Sequence, residues 1–215
     1  MTLAESYFLF FYLQLASYAF PIWVGIRYFR HLDNRLKLFF LGILIACCID
    51  VTSWVMYKLH IHNHYLDYFF SFNGFITKLL IYRLFIKNPT HKKIIIGIGL
   101  LIIPLFLVDV VWVSGTEHHN AFSGGASQLW VFVATFYCFR QLIHEHPVGI
   151  RKQPFFWIFM GILIKVGLTY FDTVAYNFIL SSSVPLTYLL SDFTYLTCVI
   201  ENILYATGLR HGKKE

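Results

Sequence analysis

Apolar residues fall into seven long runs, roughly 6–27, 36–57, 65–86, 94–113, 126–143, 154–179 and 186–209, separated by short polar connections. Each run reaches the 17–25 residues that a helix needs to cross the hydrocarbon of a bilayer. The pattern predicts an all-α polytopic bundle of seven transmembrane helices. One transmembrane domain takes up residues 1–215, because the longest connections, Ser114–Gly125 and His144–Gln153, are too short to hide a soluble domain.

The basic residues alternate between connections. Arg27, Arg30, Arg35 and Lys37 crowd the first, Arg83, Lys87, Lys92 and Lys93 the third, Arg140, Arg151 and Lys152 the fifth, and Arg210, Lys213 and Lys214 the tail. The even-numbered connections carry only Lys58. Short basic loops stay cytoplasmic, so the expected topology has the N-terminus outside and the C-terminus inside a multi-pass inner (cell) membrane protein. Residues 1–6 lack a basic n-region, so the first run is expected to remain as a helix rather than be removed as a signal peptide.

Composition agrees with this picture. With 58% hydrophobic and 13% charged residues and a mean hydropathy of +0.63, the chain has too little polar surface to fold alone in water. The net charge of +6 follows from the cytoplasmic loops and suits an anionic inner leaflet, so no nucleic-acid partner is read from it. Cys47, Cys48, Cys138 and Cys198 all lie within the runs, which argues against a disulfide framework.

A self-similarity links the first three runs to the last three. Phe40-Leu41-Gly42-Ile43-Leu44-Ile45 matches Phe159-Met160-Gly161-Ile162-Leu163-Ile164, and each continues toward an aspartate, Asp50 and Asp172. Leu66-Asp67-Tyr68 then matches Ser191-Asp192-Phe193. The expectation is a parallel 3+1+3 arrangement, with repeats 6–86 and 126–209 flanking a linker helix 94–113, a plan found among transporters.

An ionisable residue at mid-bilayer costs roughly 2.5–3.5 kcal/mol on insertion scales, so each one needs a reason. At 1.5 Å per residue, Asp50, Asp172 and Asp192 lie about 9–11 Å below the outer ends of their helices, with Asp67 and Asp109 shallower. Lys78 and Glu201 lie about 12 Å from the inner ends and Lys165 about 16 Å, with Asn202 beside Glu201. Helical phase places Lys165, Thr169, Asp172 and Tyr176 on one stripe and Asp67, Ser71, Gly74 and Lys78 on another, both expected to face the bundle interior. The five carboxylates are candidates for a ligand or cation site in an acidic cavity open to the outside. The competing reading is that they accept interhelical hydrogen bonds and hold the bundle together. Lys78, Lys165, Glu201 and Asn202 form an inner polar cluster that either fixes packing or serves as a gate or relay.

Metal and cofactor signals are weaker. His60, His62 and His64 on one outer loop and His118 and His119 on another could supply zinc ligands, which would make the chain a metal-dependent membrane hydrolase. Ceramidase-like hydrolases place an H-x-x-x-H pair in the last span, where this chain has no histidine, so an enzyme is the less favoured class. A retinal protein needs a Schiff-base lysine in its last helix, and here none occurs before Lys213.

Pro154-Phe155-Phe156-Trp157 with Gly161-Ile162-Leu163, and Asn202-Ile203-Leu204-Tyr205 with Gly208-Leu209-Arg210, resemble a family of small uncharacterised bacterial seven-transmembrane-helix proteins. The likeness covers the last two spans and implies the topology, with no reaction or site attached. The sequence points first to ligand sensing or signal coupling, with Asp50, Asp172 and Asp192 engaging the ligand and the basic inner loops contacting a cytoplasmic signalling partner. A small-solute or ion transporter is the first alternative and the hydrolase the second.

Overall fold

The computed structural model describes residues 2–113, 115 and 120–212. It is all-α. Helices α1 (Leu3–Ser17) and α2 (Ala19–Tyr28) are two halves of one bent rod, followed by α3 (Asn34–Lys58), α4 (Tyr65–Phe85), α5 (Pro89–Val108), α6 (Ala121–Glu145), α7 (Pro154–Ser182) and α8 (Val184–His211). Every apolar run read from the sequence lies on one of these seven rods. The bend between α1 and α2 follows from Pro21, whose missing N–H leaves the carbonyl of Ser17 without its helical partner. Pro104 lies inside α5, and the helix then widens into a π turn over Asp109–Val113.

Helix starts are written locally. Thr2 and Glu5 form a capping box on α1, Asp33 accepts the Leu36 N–H at 2.8 Å on α3, and Asn88 followed by Pro89 opens α5. The N-terminus of α6 is capped from a distance: the Ser123 N–H donates to Oδ2 of Asp109, 2.7 Å away at the far end of α5. Asp109 therefore serves a backbone donor and fixes the turn between two helices.

Four rods among the described residues are long and apolar enough to cross a membrane by themselves: Glu5–His31, Asn34–Lys58, Pro89–Val113 and Pro154–Tyr176. The remaining helices, α4, α6 and α8, have 21, 25 and 28 residues, but polar side chains interrupt them. Ser123, Ser127 and Thr135 on α6, and Thr187, Ser191, Asp192, Thr197, Glu201 and Asn202 on α8, are buried. These helices spend their polar positions inside the bundle, which lowers their average hydropathy without wetting their outer faces. Leu101, Leu107, Trp112, Phe171 and Phe178 are 67–77% exposed. Apolar surface on this scale suits lipid rather than water, and the chain has the character of a multi-pass membrane protein.

The helices close into a ring. The α1/α2 rod packs on α3, α3 on α4, α4 on α6, α6 on α7, α7 on α8, and α8 returns to α1 and α2; α5 leans on α4 and α6. Its middle is aromatic, with Phe39 against Tyr205 at 4.7 Å between ring centroids, Phe85 against Phe159 at 5.0 Å and Phe75 against Trp130 at 5.1 Å. The α7–α8 contact is close because Gly208 has no side chain: a Cβ there would lie 2.8 Å from the carbonyl oxygen of Pro154.

Candidate functional site

Two charged residues meet in the middle of the bundle. Lys165 of α7 lies ten residues beyond Phe155 and Glu201 of α8 ten before His211, each about 15 Å along its helix from the basic end of the bundle. The Lys165 Nζ is 3.0 Å from Oε2 of Glu201, and the side chains are 21% and 7% exposed. The other carboxylate oxygen of Glu201 accepts a hydrogen bond from the Tyr205 hydroxyl, one turn on. Both oxygens of Glu201 are thus engaged. Lys165 also sits over the ring of Phe70 at 5.7 Å, a cation–π contact that offsets part of its desolvation.

Beside this pair lies a second cation. Lys78 of α4 makes no ion pair or hydrogen bond among the described residues. It lines two small cavities. One, of about 70 Å³, is bounded by Tyr18, Gly42, Asn73, Lys165, Glu201 and Tyr205 among others, and the other, of about 80 Å³, by Ser71, Ser127, Gln128, Val166 and Thr169. Phe70, Gly74, Lys78 and Lys165 belong to both walls. The stripe Ser71, Gly74, Lys78 on α4 and the stripe Lys165, Thr169 on α7 face each other across the second cavity, as their helical phase predicts. The Oε1 of Gln128 in that wall is buried with no hydrogen-bond partner among the described residues.

A polar tether runs from the cluster to the first three helices. Asn202 donates from Nδ2 to Oγ of Ser17 at 2.7 Å, Ser17 donates to the carbonyl of Gln14 at 2.6 Å, and Gln14 donates from Nε2 to Oδ2 of Asp50 at 2.9 Å. The Tyr18 hydroxyl donates to the same Asp50 oxygen at 2.9 Å. Gln14, Ser17, Tyr18 and Tyr205 are site residues that the charge pattern does not single out. Their signal is spacing: Gln14 and Ser17 are isolated polar positions one turn apart in an apolar run, and Tyr205 follows Glu201 by four residues.

The five aspartates read as an outer ligand site each have a separate neighbour. Asp50 is held by Gln14 and Tyr18, Asp172 accepts from Thr194 at 2.7 Å, Asp192 accepts from Ser6 at 2.7 Å, Asp109 caps α6, and Asp67 lies 3.7 Å from Nδ1 of His64. Neither cavity is lined by Asp50, Asp172 or Asp192. Asp50, Asp109, Asp172 and Asp192 thus accept hydrogen bonds across helix contacts, whereas the His64 neighbour of Asp67 opens the same helix. His62 and His64 pack edge to face at 5.3 Å, and His60 takes a left-handed φ of 57° in the exposed loop. His118 and His119 lie outside the described residues. Among the described residues no group of three or more His, Cys, Asp or Glu is arranged to hold a metal ion.

No known protein family matches the chain, and no curated protein and no solved structure is significantly similar to it.

Proposed function

We propose that this chain is a seven-span carrier of a small solute, with the N-terminus outside and the C-terminus inside, whose binding site is the Lys78–Lys165–Glu201 cluster. The observation that carries this reading is the position of the cluster. Lys78 comes from α4, in the first group of three rods, and Lys165 and Glu201 come from α7 and α8, in the last. A charged site at mid-depth where two three-helix halves meet is the arrangement on which alternating access operates. A buried ion pair adds little stability over an apolar pair of similar size, so its presence in a membrane interior points to use rather than to packing.

The parallel 3+1+3 plan supports the same reading. In the ring, α5 leans on α4 and α6 while the other six rods close around the middle. The matched glycines also behave alike: Gly42 of α3 faces Thr77 of α4, and Gly161 of α7 faces Tyr205 of α8, so in each half the middle helix presents its glycine to the third. The matched aspartates do not share this equivalence, since Asp50 bonds to α1 and the C-cap Tyr18 while Asp172 bonds to α8.

Purified protein in lipid vesicles, screened by counterflow against a panel of small labelled solutes, should accumulate one class of them. The paired variant Lys165→Met with Glu201→Leu, which removes the charges and keeps the bulk, should fold and lose that uptake. Wild-type vesicles that take up none of the panel, while the protein still binds a member of it, would move the reading to ligand sensing. The tether from Asn202 through Ser17 and Gln14 to Asp50 favours that second role, because it couples the cluster to the first three helices.

A further inference from the structure

We infer that the solute is a small monovalent anion, a halide or a one- or two-carbon carboxylate, held by the Lys78 ammonium between the two cavities. This assignment takes the Lys78–Lys165–Glu201 cluster as the binding site of the carrier.

The charges decide the sign. Lys165 is matched by Glu201 at 3.0 Å, and the other oxygen of Glu201 accepts from Tyr205, so the one carboxylate of the cluster is already committed to a cation and a hydroxyl. The tether also engages Asp50, whose Oδ2 receives both Gln14 and Tyr18. Lys78 is a second cation beside that pair, so the cluster sets two ammonium groups against the one Glu201 carboxylate, in a low-dielectric interior where an excess charge is costly. A cation entering either cavity would meet two ammonium groups on the wall, with the Glu201 carboxylate present on the first wall alone. An anion would meet the same two groups and neutralise the spare one.

Size and lining limit the ligand. Cavities of about 70 and 80 Å³ correspond to roughly two or three water molecules each, which suits a ligand of a few heavy atoms. Among the described residues of these walls, Oε1 of Gln128 is a buried acceptor without a donor, which a co-bound water or the Lys78 ammonium itself can serve. Gly74 keeps both cavities open at their junction: a Cβ at Gly74 would lie 3.5 Å from Nζ of Lys78, in ordinary contact with the ammonium and in the anion's place.

The test is thermal unfolding of the purified protein in detergent at fixed ionic strength, exchanging sodium gluconate for sodium chloride, bromide or acetate. The small anions should raise the midpoint saturably, by about 3–6 °C at ten times the dissociation constant, while gluconate does not. Lys78→Met should abolish the response and Lys78→Arg should keep it. Gly74→Val, which leaves every charge in place, should weaken the response at least ten-fold, and it stands as the test if Lys78→Met does not fold. The assignment is overturned if no small anion differs from gluconate, if Lys78→Met and Gly74→Val respond like wild type, or if exchanging sodium for potassium produces the shift instead. A saturable anion shift without uptake in vesicles would keep the anion site and remove the carrier. Uptake of a cation or neutral solute with no anion shift would do the reverse.

Discussion

Glu201 holds Lys165 with one oxygen and Tyr205 with the other, deep between helices. Glu201→Gln strands the Lys165 ammonium and should cost about 3–5 kcal/mol in thermal or denaturant unfolding. Lys165→Met combined with Glu201→Leu should recover most of that loss, because the desolvation of both charges disappears with the pair. A double variant as unstable as Glu201→Gln alone would show that the pair supports the fold through its hydrogen bonds. The aspartates behave differently at this scale. Asp50, Asp172 and Asp192 each accept from one or two donors across a helix contact, so the loss of one would cost a hydrogen bond rather than strand a bonded cation.

Within one helix, neighbouring glycines answer to different forces. On α5, a Cβ at Gly97 meets nothing within 4 Å, whereas at Gly99 it would lie 2.6 Å from Cδ1 of Leu79 and 2.7 Å from Cζ2 of Trp130. Gly97→Ala should therefore be neutral or raise stability by up to about 1 kcal/mol through helix propensity. Gly99→Ala should lower it by about 1–3 kcal/mol as Trp130 and Leu79 are forced to move. The unfolding midpoints of the two variants should shift in opposite directions. At the basic end, Lys87 reaches Oε2 of Glu145 at 2.9 Å and Gln141 reaches Oε1 at 2.8 Å, joining the α4–α5 connection to the end of α6. Partial burial opposes ionisation of Glu145, but the hydrogen bonds from Lys87 and Gln141 and the nearby charges outweigh it and hold the carboxyl below its ordinary value of 4.5. A carboxyl depressed on folding stabilises the folded state above its unfolded value and loses that contribution as pH falls through the folded one. The difference in midpoint between wild type and Glu145→Gln should be constant from pH 7 to 5 and shrink below pH 4.5. Solvent screening keeps the difference small.

The whole molecule tests the topology. With native cysteines replaced, His62→Cys should react with a membrane-impermeant maleimide on intact cells, and Lys152→Cys only after lysis. The reverse pattern would invert the orientation and put the basic connections on the outer face, against the usual retention of short basic loops. The seven helices were legible because length and hydropathy are local. The site was legible only in part. Lys78, Lys165 and Glu201 stand out as charges in apolar runs, and their depths place them together. Gln14, Ser17, Tyr18 and Tyr205 do not stand out, since isolated hydroxyls and amides are common in membrane helices and gain meaning only from what lies opposite.

Sequence by itself determined the helices and the polar stripes of α4 and α7, because these follow from backbone hydrogen bonding, residue spacing and the cost of placing a charge in hydrocarbon. Tertiary structure decided which charges have partners. Asp50, Asp172 and Asp192 share a depth along their helices, and packing gave each a different hydrogen-bond donor. The same packing gave Glu201 two donors and Lys78 no hydrogen-bond acceptor among the described residues, and that imbalance marks the functional candidate. Pairing depends on distances between side chains of different helices, a quantity set by how the rods close into a ring and written in no single stretch of the chain.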